Sequence, residues 1–600
     1  MQHRSLTVVI LILFSRVAFG QAPYIQRGDQ AYHTYDRLEI LGLTDTTLVN
    51  SINNLDKKEV VGFLKTITDE SGLTAKDLYD VTHVLSDQYE FLTDAVKSAV
   101  QEKSGFEKTG FFREVVEEGD NEADEEDNIF SKDYYRRDPL LKYFYKSRSN
   151  FLELETPSFS MYVNPIVQVG YTSQNGNDRT IFQNTRGIAL TAYIDKKVYI
   201  FSQLLENQRN YTNFVENRIS RFTALPGQGY WKSYESGVIG SLKGYDFFNA
   251  RAYVGFNPVK SINIEFGHGN HFIGNGFRSL LLSDFSSPYF YLKFNTRIWK
   301  FQYQNIFAEM SPTTAPLNQG DGLLPKKYTT THYLAFKPNN RFEIGLFETV
   351  VFSREKHFEF QYLNPVILYR AVEHALGSPD NVLLGLNLKW NPVNAVSLYG
   401  QFVMDEFKLS EVKERSGWWA NKFGGQIGIK YINALGIDHL DLQAEYNAVR
   451  PYTYAHRDTL PGLPQYSVAN YSNYNQPLAH PLGANFREIN LIARYKPTNR
   501  IYLQGRMMMT KYGDDRPGDN WGGNILAPLE SREMDYGNKI GQGVSTKVMA
   551  LNLDASYEFF HNYFIDLNGS LRHTTTDTKV NQSYIGGGIR INIANVTYDY

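Results

Sequence analysis

Cysteine is absent from all 600 residues. That excludes a disulfide framework, a thiol nucleophile, a cysteine metal site and a cysteine-borne lipid anchor. An excess of charge is missing too: 61 Lys and Arg face 64 Asp and Glu, a net charge of -3. This balance carries no nucleic-acid signal, and no nucleic-acid partner is expected. Long apolar runs are lacking as well. Leu6 to Phe14 is nearly unbroken but too short to span a bilayer as a helix. With His3 and Arg4 before it and Ala18-Phe-Gly20 after it, residues 1–20 read as a signal peptide, and Gln21 begins the mature chain. An exported chain with no spanning helix is either soluble in the periplasm or a β-barrel, because only helices and closed barrels satisfy their backbone in lipid.

Aromatic residues are plentiful, with 42 Tyr and 39 Phe. Barrels place aromatics in girdles at both membrane interfaces. The final run, Ile589-Arg-Ile-Asn-Ile-Ala-Asn-Val-Thr-Tyr-Asp-Tyr600, reads as a closing strand that ends on an aromatic. It resembles the ends of bacterial outer-membrane barrels, which implies recognition of Tyr600 by the barrel-insertion machinery. The alternation slips near Ala594-Asn595, through a bulge or a wrong boundary.

Three regions follow the signal. Residues 21–103 read as a periplasmic helical bundle. Asp56-x-x-Glu59 has the form of a capping box, followed by Val60, Val61, Leu64 and Ile67 at helical spacing. A second helix starts at Thr74. Phe91, Leu92, Ala95, Val96 and Ala99 continue a third apolar face. Residues 104–150 contain the acidic run from Glu114 to Asp127 and read as a largely disordered linker. A calcium site in that run would need EF-hand spacing, which it lacks.

Residues 151–600 alternate with period two. Ile262, Ile264 and Phe266 oppose Asn263 and Glu265; Leu384, Leu386 and Leu388 oppose Asn387 and Lys389. In a barrel the apolar set faces lipid and the polar set faces the lumen. Short turns are expected at Asp195-Lys-Lys197, Asn257-Pro-Val259, Asn295-Thr296, Lys337 to Arg341, Asn391 to Asn394, Asn433 to Gly436, Lys496 to Arg500 and Phe560 to Asn562. Between them lie long loops at Asn210–Tyr245, Gly269–Pro288, Met310–Lys327, Ser353–Asn381, Arg450–Phe486 and Lys511–Val544. Strict alternation of short turn and long loop predicts a mainly β fold, an antiparallel outer-membrane β-barrel of about 18 strands in contact with outer-membrane lipid.

The loop Gly267-His-Gly-Asn-His-Phe-Ile-Gly-Asn-Gly-Phe-Arg-Ser-Leu-Leu-Leu-Ser-Asp-Phe-Ser-Ser-Pro288 is dense in polar groups. With Asp36-Arg-Leu-Glu-Ile40 and Lys58-Glu-Val-Val61, it resembles the Wzi-type capsule-assembly barrel family. Phe360-Gln-Tyr-Leu-Asn-Pro365, Arg450-Pro-Tyr-Thr-Tyr-Ala-His456 and Asn475 to Asn485 are similar to its gliding-motility, RemB-like branch. The resemblance implies an 18-stranded barrel with a periplasmic helical bundle below it. It also implies surface polysaccharide as partner, with motility or capsule-export proteins as further partners.

Two loop clusters are candidate polysaccharide ligands: His268, Asn270, His271, Asn275, Arg278 and Asp284, then Arg450, Tyr452, His456 and His480. Planar polar groups beside aromatic faces suit sugars. The same residues also suit a loop folded into the lumen whose polar groups satisfy one another. Gly269, Gly274 and Gly276 are candidates for tight or positive-φ backbone. His268 and His271 lack an acidic partner at metal-ligand spacing, so no metal and no cofactor are expected. No Gly-x-Ser-x-Gly elbow occurs and no enzyme activity is expected. A porin needs an open lumen, and long polar loops with a helical bundle argue for a blocked one.

Overall fold

A computed structural model describes residues 24–600, except 26, 44–47, 54, 65–72, 93–148, 196, 237–241, 315–323, 355–357, 367, 370, 373–379, 458, 461–462 and 597. The signal peptide, nearly all of the acidic linker, Ile67, Ala95, Val96 and Ala99 lie outside the described residues.

Eighteen long antiparallel strands form a closed barrel. In chain order they are β1 Phe159–Gln174, β2 Asn177–Ile194, β3 Val198–Arg209, β4 Lys243–Val259, β5 Ile262–Gly269, β6 Tyr289–Ile298, β7 Phe301–Met310, β8 Lys327–Asn339 and β9 Phe342–Phe352. The second half is β10 Asn381–Val393, β11 Val396–Glu406, β12 Lys422–Tyr431, β13 Leu440–Val449, β14 Phe486–Thr498, β15 Ile501–Asp514, β16 Val544–Phe560, β17 Tyr563–Thr575 and β18 Lys579–Ile591. Each pairs with its sequence neighbour, and β18 closes on β1 from Val167↔Ile591 to Gln174↔Tyr584. Two four-residue segments, Leu152–Glu155 and Lys232–Glu235, add to the ends of β1 and β4.

The period-two pattern sorts as lipid requires. Phe248, Phe266, Leu346, Ile427, Leu553, Leu567 and Ile585 are exposed on the outer face, around the whole circumference. Their strand neighbours Asn263, Glu265, Asn387, Lys389, Gln443 and Glu445 are buried inside. A continuous outward apolar belt is stable in hydrocarbon and not in water.

Three local expectations change. Asn295 and Thr296 lie inside β6; the chain turns at Trp299 and Lys300, where Trp299 has φ 54°. Short connections also occur at the long-loop end, at Asn175-Gly176 and Thr576–Thr578, so the alternation is not strict. The last strand stops at Ile591. Asn592 turns with φ 52°, and the chain re-enters the barrel, where Tyr600 is buried against Phe285 and Arg218. Tyr600 therefore does not end a lipid-facing strand. The slip at Ala594-Asn595 marks a segment with no strand to belong to.

Helices α1 (Gln30–Ile40), α2 (Lys57–Leu64) and α3 (Ala75–Asp87) occupy the short-turn mouth of the barrel. Thr74 and Asp77 form a complete capping box at α3. At α2, Asp56 accepts from the Glu59 amide at 3.0 Å, while the Glu59 carboxylate pairs with Arg297. Leu38, Val60, Val61, Leu64, Val81, Val84 and Leu85 form the helical core. The polar faces meet the barrel wall. Asp36 binds Lys389 at 2.8 Å and Lys430 at 2.6 Å; Glu39 binds Lys337 and Lys389, each at 2.5 Å; Asp80 binds Lys496. Arg37 runs the other way, to Asp441 at 2.6 Å and Asp77 at 3.0 Å.

Two predictions follow from this architecture. Phe360 and Arg341 are both exposed, on opposite ends of the barrel. Phe360→Cys should react with an impermeant thiol reagent on intact cells and Arg341→Cys should not; the reverse pattern would overturn the orientation.

The second concerns pH. Burial raises the Asp80 carboxyl, but Lys496 and His439 outweigh it and hold it down at about 2. Asp36 and Glu39 are likewise held low, against burial, by Lys389 with Lys430 and by Lys337 with Lys389. Depressed carboxylates stabilise docking above their unfolded range, near 4, and lose that contribution as pH falls through the folded value. Amide-exchange protection of α1 and α3, corrected for intrinsic rates, should be equal at pH 7 and pH 5 and fall between about pH 4 and pH 2. Unchanged protection at pH 2 would exclude a charge-based latch.

Candidate functional site

The lumen is divided between a plug and a cavity. The loop Asn270–Pro288 folds inward from the long-loop end. Ile273, Leu280, Leu281 and Leu282 form one core with Val49 and Ile52 from the opposite end and with Tyr454, Tyr471, Leu478 and Ala479. The Gly274 amide donates to the Ser51 carbonyl at 2.7 Å. Gly274 has φ 146°, and a Cβ there would collide with the Gln401 amide, so glycine is required where the two segments meet. Gly269 and Gly276 do not have positive φ.

The ten candidate residues divide sharply. His268 lies on the same face of β5 as the exposed Phe266, sits tilted beside Phe290 and bonds the Ala250 carbonyl at 2.8 Å. Asn270 donates to Ser286 at 2.7 Å. His271 is buried against Tyr289 at 3.2 Å, and burial pushes its imidazole well below the usual range. Asn275 accepts from Asn387 at 2.8 Å. Arg278 is buried between Glu488 at 3.4 Å and Asp599 at 3.2 Å. Asp284 binds Arg27 at 2.6 Å.

The second loop is just as occupied. Arg450 donates to the Asn421 carbonyl at 2.7 Å, and Tyr452 to the Asn520 carbonyl at 2.9 Å. Burial lowers His456 to about 4. His480 meets Glu488 at 2.8 Å and stacks on Phe486. The two loops do come together: Tyr454 donates to the Leu280 carbonyl at 2.7 Å, the Ser283 amide to Leu478 at 2.7 Å, and Glu488 joins Arg278 to His480. Most of these groups thus satisfy one another, as buried polar groups must.

Beside the plug lies a cavity of about 950 Å³, bounded by the helical region, by β1–β4 and by β12–β18. Its wall is rich in amides that alternate inward along the strands: Gln168, Gln183, Gln203, Asn207 and Asn249, with Thr185 and Thr191. Gln183 donates to Gln168 at 2.6 Å, and Thr185 to Asn207 at 2.8 Å. Arg209 and Arg251 also line it, and the Nε of each has no hydrogen-bond partner. Phe201, Phe247, Phe272, Phe285 and Tyr598 supply aromatic surface. Asn275, Arg278 and Asp284 line the plug side; the other seven candidates do not.

The segment Asn592–Tyr600 forms another edge of this cavity. Asp599 holds Arg506 at 2.9 Å and Arg278 at 3.2 Å, while Arg572 donates to the Tyr600 carbonyl oxygen at 3.0 Å. Loop-based reasoning missed the wall. Its signal was present in the polar half of each strand pattern, where Gln203, Asn207 and Arg209 share one face at even spacing.

Arg278→Ala should destabilise the barrel by roughly 3–5 kcal/mol, because it leaves Glu488 and Asp599 buried without their shared cation. Half-buried Arg450→Ala should cost less, about 1–3 kcal/mol. Heat-modifiable migration across a temperature series measures both; equal midpoints would show that the Arg278 cluster is not structural.

No family model matches the sequence, and no curated protein matches it. Among solved structures the chain is similar to Wzi of Escherichia coli, described as an outer-membrane protein involved in group 1 capsule assembly and a carbohydrate-binding β-barrel. The identity is 14% and the TM-score 0.53, over 96% of this chain and 100% of that one. It is also similar to OprD of Pseudomonas aeruginosa, at 11% identity and TM-score 0.37 over 72% of this chain and 92% of that one. OpdK of the same organism, solved with vanillate, gives 9% identity and TM-score 0.40 over 72% and 98%. At these identities the likeness is one of fold, and the fold is that of an outer-membrane β-barrel.

Proposed function

We propose that this barrel holds surface polysaccharide and that the amide-lined cavity, rather than the loop clusters, is the principal contact surface. The carrying observation is the β1–β4 wall, where inward Gln, Asn and Thr side chains face space the plug leaves unfilled. Amide groups donate and accept at once, which matches the paired character of sugar hydroxyls. Phe201, Phe247 and Phe285 offer faces for the C–H side of a pyranose. Arg209 and Arg251 add cations suited to uronate carboxylates. Single contacts of this kind are weak, so retention relies on repeated engagement along a polymer. The carbohydrate binding stated for Wzi supports the reading, since the two share a fold. We further propose capsule attachment as the primary role, with gliding motility resting on the RemB-like resemblance alone. No catalytic step is part of this reading.

A second reading is a channel for small solutes. It draws on the cavity lining, which extends from Asn164 near the short-turn end to Gln228 in a long loop. Conductance in planar bilayers separates the two: a polysaccharide holder with this plug passes little current, whereas a channel conducts steadily.

The decisive variant is Gln203→Ala with Arg251→Ala. Binding of purified surface polysaccharide to the detergent-solubilised protein should weaken by roughly 10–100-fold, as expected for two lost hydrogen-bonding groups. Heat-modifiable folding should be retained. In cells the variant should shed polysaccharide into the medium, and scoring spreading on agar in the same strain shows whether motility depends on it. Normal binding by this variant would remove the cavity from the proposal.

A further inference from the structure

The floor of the barrel carries a cluster that borders the cavity and that neither the plug's core nor the amide wall explains. His83 and Asp87 lie four residues apart on α3, hence on one face. That face meets His561, in the two-residue turn between β16 and β17, and Glu558 near the end of β16. His83 Nε2 lies 2.7 Å from Glu558 Oε1. His561 Nε2 lies 2.7 Å from Asp87 Oδ1, and His83 Nδ1 is 3.4 Å from Asp87 Oδ2. One ligand atom from each of His83, Asp87 and His561 falls within 4.8 Å of the others.

We propose that His83, Asp87 and His561 bind a divalent transition-metal ion of the zinc class, which staples α3 to the barrel floor. Four observations carry this. The donor set is two imidazole nitrogens and one carboxylate, which suits zinc and leaves a fourth position for water. His83 is 5% exposed, and its Nδ1 has no hydrogen-bond partner although it is aimed at the other two ligands. Glu558 occupies the opposite nitrogen of His83. A carboxylate there accepts the Nε2–H, fixes the tautomer and leaves the Nδ1 lone pair free for a metal, as outer-shell carboxylates do in histidine metal sites. Glu558 is itself fixed by the Asn562 amide at 2.9 Å and the Tyr502 hydroxyl at 3.1 Å.

Charge gives the fourth. With both imidazoles neutral, Asp87 and Glu558 leave two negative charges in a buried cluster, and a dication balances them. The competing arrangement puts protons on the histidines instead. Metal binding releases such protons, so the two states are distinguishable.

The test uses the full-length, tag-free protein in detergent, stripped with chelator. Zn²⁺ alone should bind at one equivalent and release protons to the buffer. Co²⁺ alone should give the absorption of a tetrahedral nitrogen–oxygen site, and X-ray absorption of the Zn²⁺ form should show two imidazole ligands. His561→Ala should lose tight binding, while Glu558→Gln should weaken it by about 10–100-fold. Zn²⁺ should also slow proteolysis within residues 73–92 of the wild type and not of His561→Ala. Stoichiometric binding that is unchanged in His561→Ala, or a spectrum without two imidazoles, would overturn the assignment. If His561→Ala fails to fold, the wild-type spectra decide alone, and absence of binding by the wild type rejects the site.

Discussion

A barrel of eighteen strands encloses more volume than its own inward side chains can fill, and this molecule is organised around that surplus. The lumen cannot stay dry and empty, because its wall is polar by the same alternation that makes the outer face apolar. Among the described residues, the helical region enters from the short-turn end, Asn270–Pro288 enters from the long-loop end with Tyr454, Tyr471, Leu478 and Ala479 packed against it, and Asn592–Tyr600 enters from the last strand. Each brings groups complementary to the wall it meets. The helices bring carboxylates to inward lysines, the loop brings Arg278 to Glu488, and the final segment brings Asp599 to Arg506.

The lysines show how register makes this possible. Lys337, Lys389, Lys430 and Lys496 lie near the ends of β8, β10, β12 and β14, alternate strands that all descend to the short-turn end. They form an arc of positive charge at one level. Asp36 and Glu39 are three residues apart on α1, and Asp80 faces the same way from α3, so the acidic stripe matches the arc. Buried ion pairs contribute little net stability compared with apolar packing, but an unmatched one is costly. Such an arrangement therefore selects one docking pose among many, which a purely apolar helix face could not do inside a polar lumen.

Much of the fold is legible in the sequence because lipid imposes a strict rule. Period-two patterns such as Ile262-Asn-Ile-Glu-Phe266 place every side chain on one of two faces, and turn residues bound the strands. The lysine partners are not legible, since each lies roughly 300 to 400 residues from its carboxylate. Tyr600 misleads for a physical reason: Ile589-Arg-Ile591 is a true strand, and only the slip at Ala594 betrays the exit. Loop composition is ambiguous in kind. A set such as His271, Arg278 and His480 has the same chemistry whether it awaits a ligand or is already paired, and only the observed partners decide.

The plug and the cavity are consequences of one asymmetry. Toward β7–β14 the inward side chains are tied to the inserted segments: Lys337 and Lys389 bind Glu39 of α1, while Gln401 bonds the Leu280 amide of the plug at 2.8 Å and Glu445 its Phe277 amide at 2.7 Å. Toward β1–β4 the inward residues include amides, threonines and two arginines beside Phe201 and Phe247; Gln183 pairs with Gln168 and Thr185 with Asn207, and the Nε of Arg209 and of Arg251 has no hydrogen-bond partner. A wall of charge would have needed counter-charges from the plug and would have drawn it across the lumen. A wall of amides makes no such demand, so it can remain solvated beside a rigid plug. Solvated amides exchange their water for other hydroxyls at little net cost, and that is the physical basis of the proposed sugar contact.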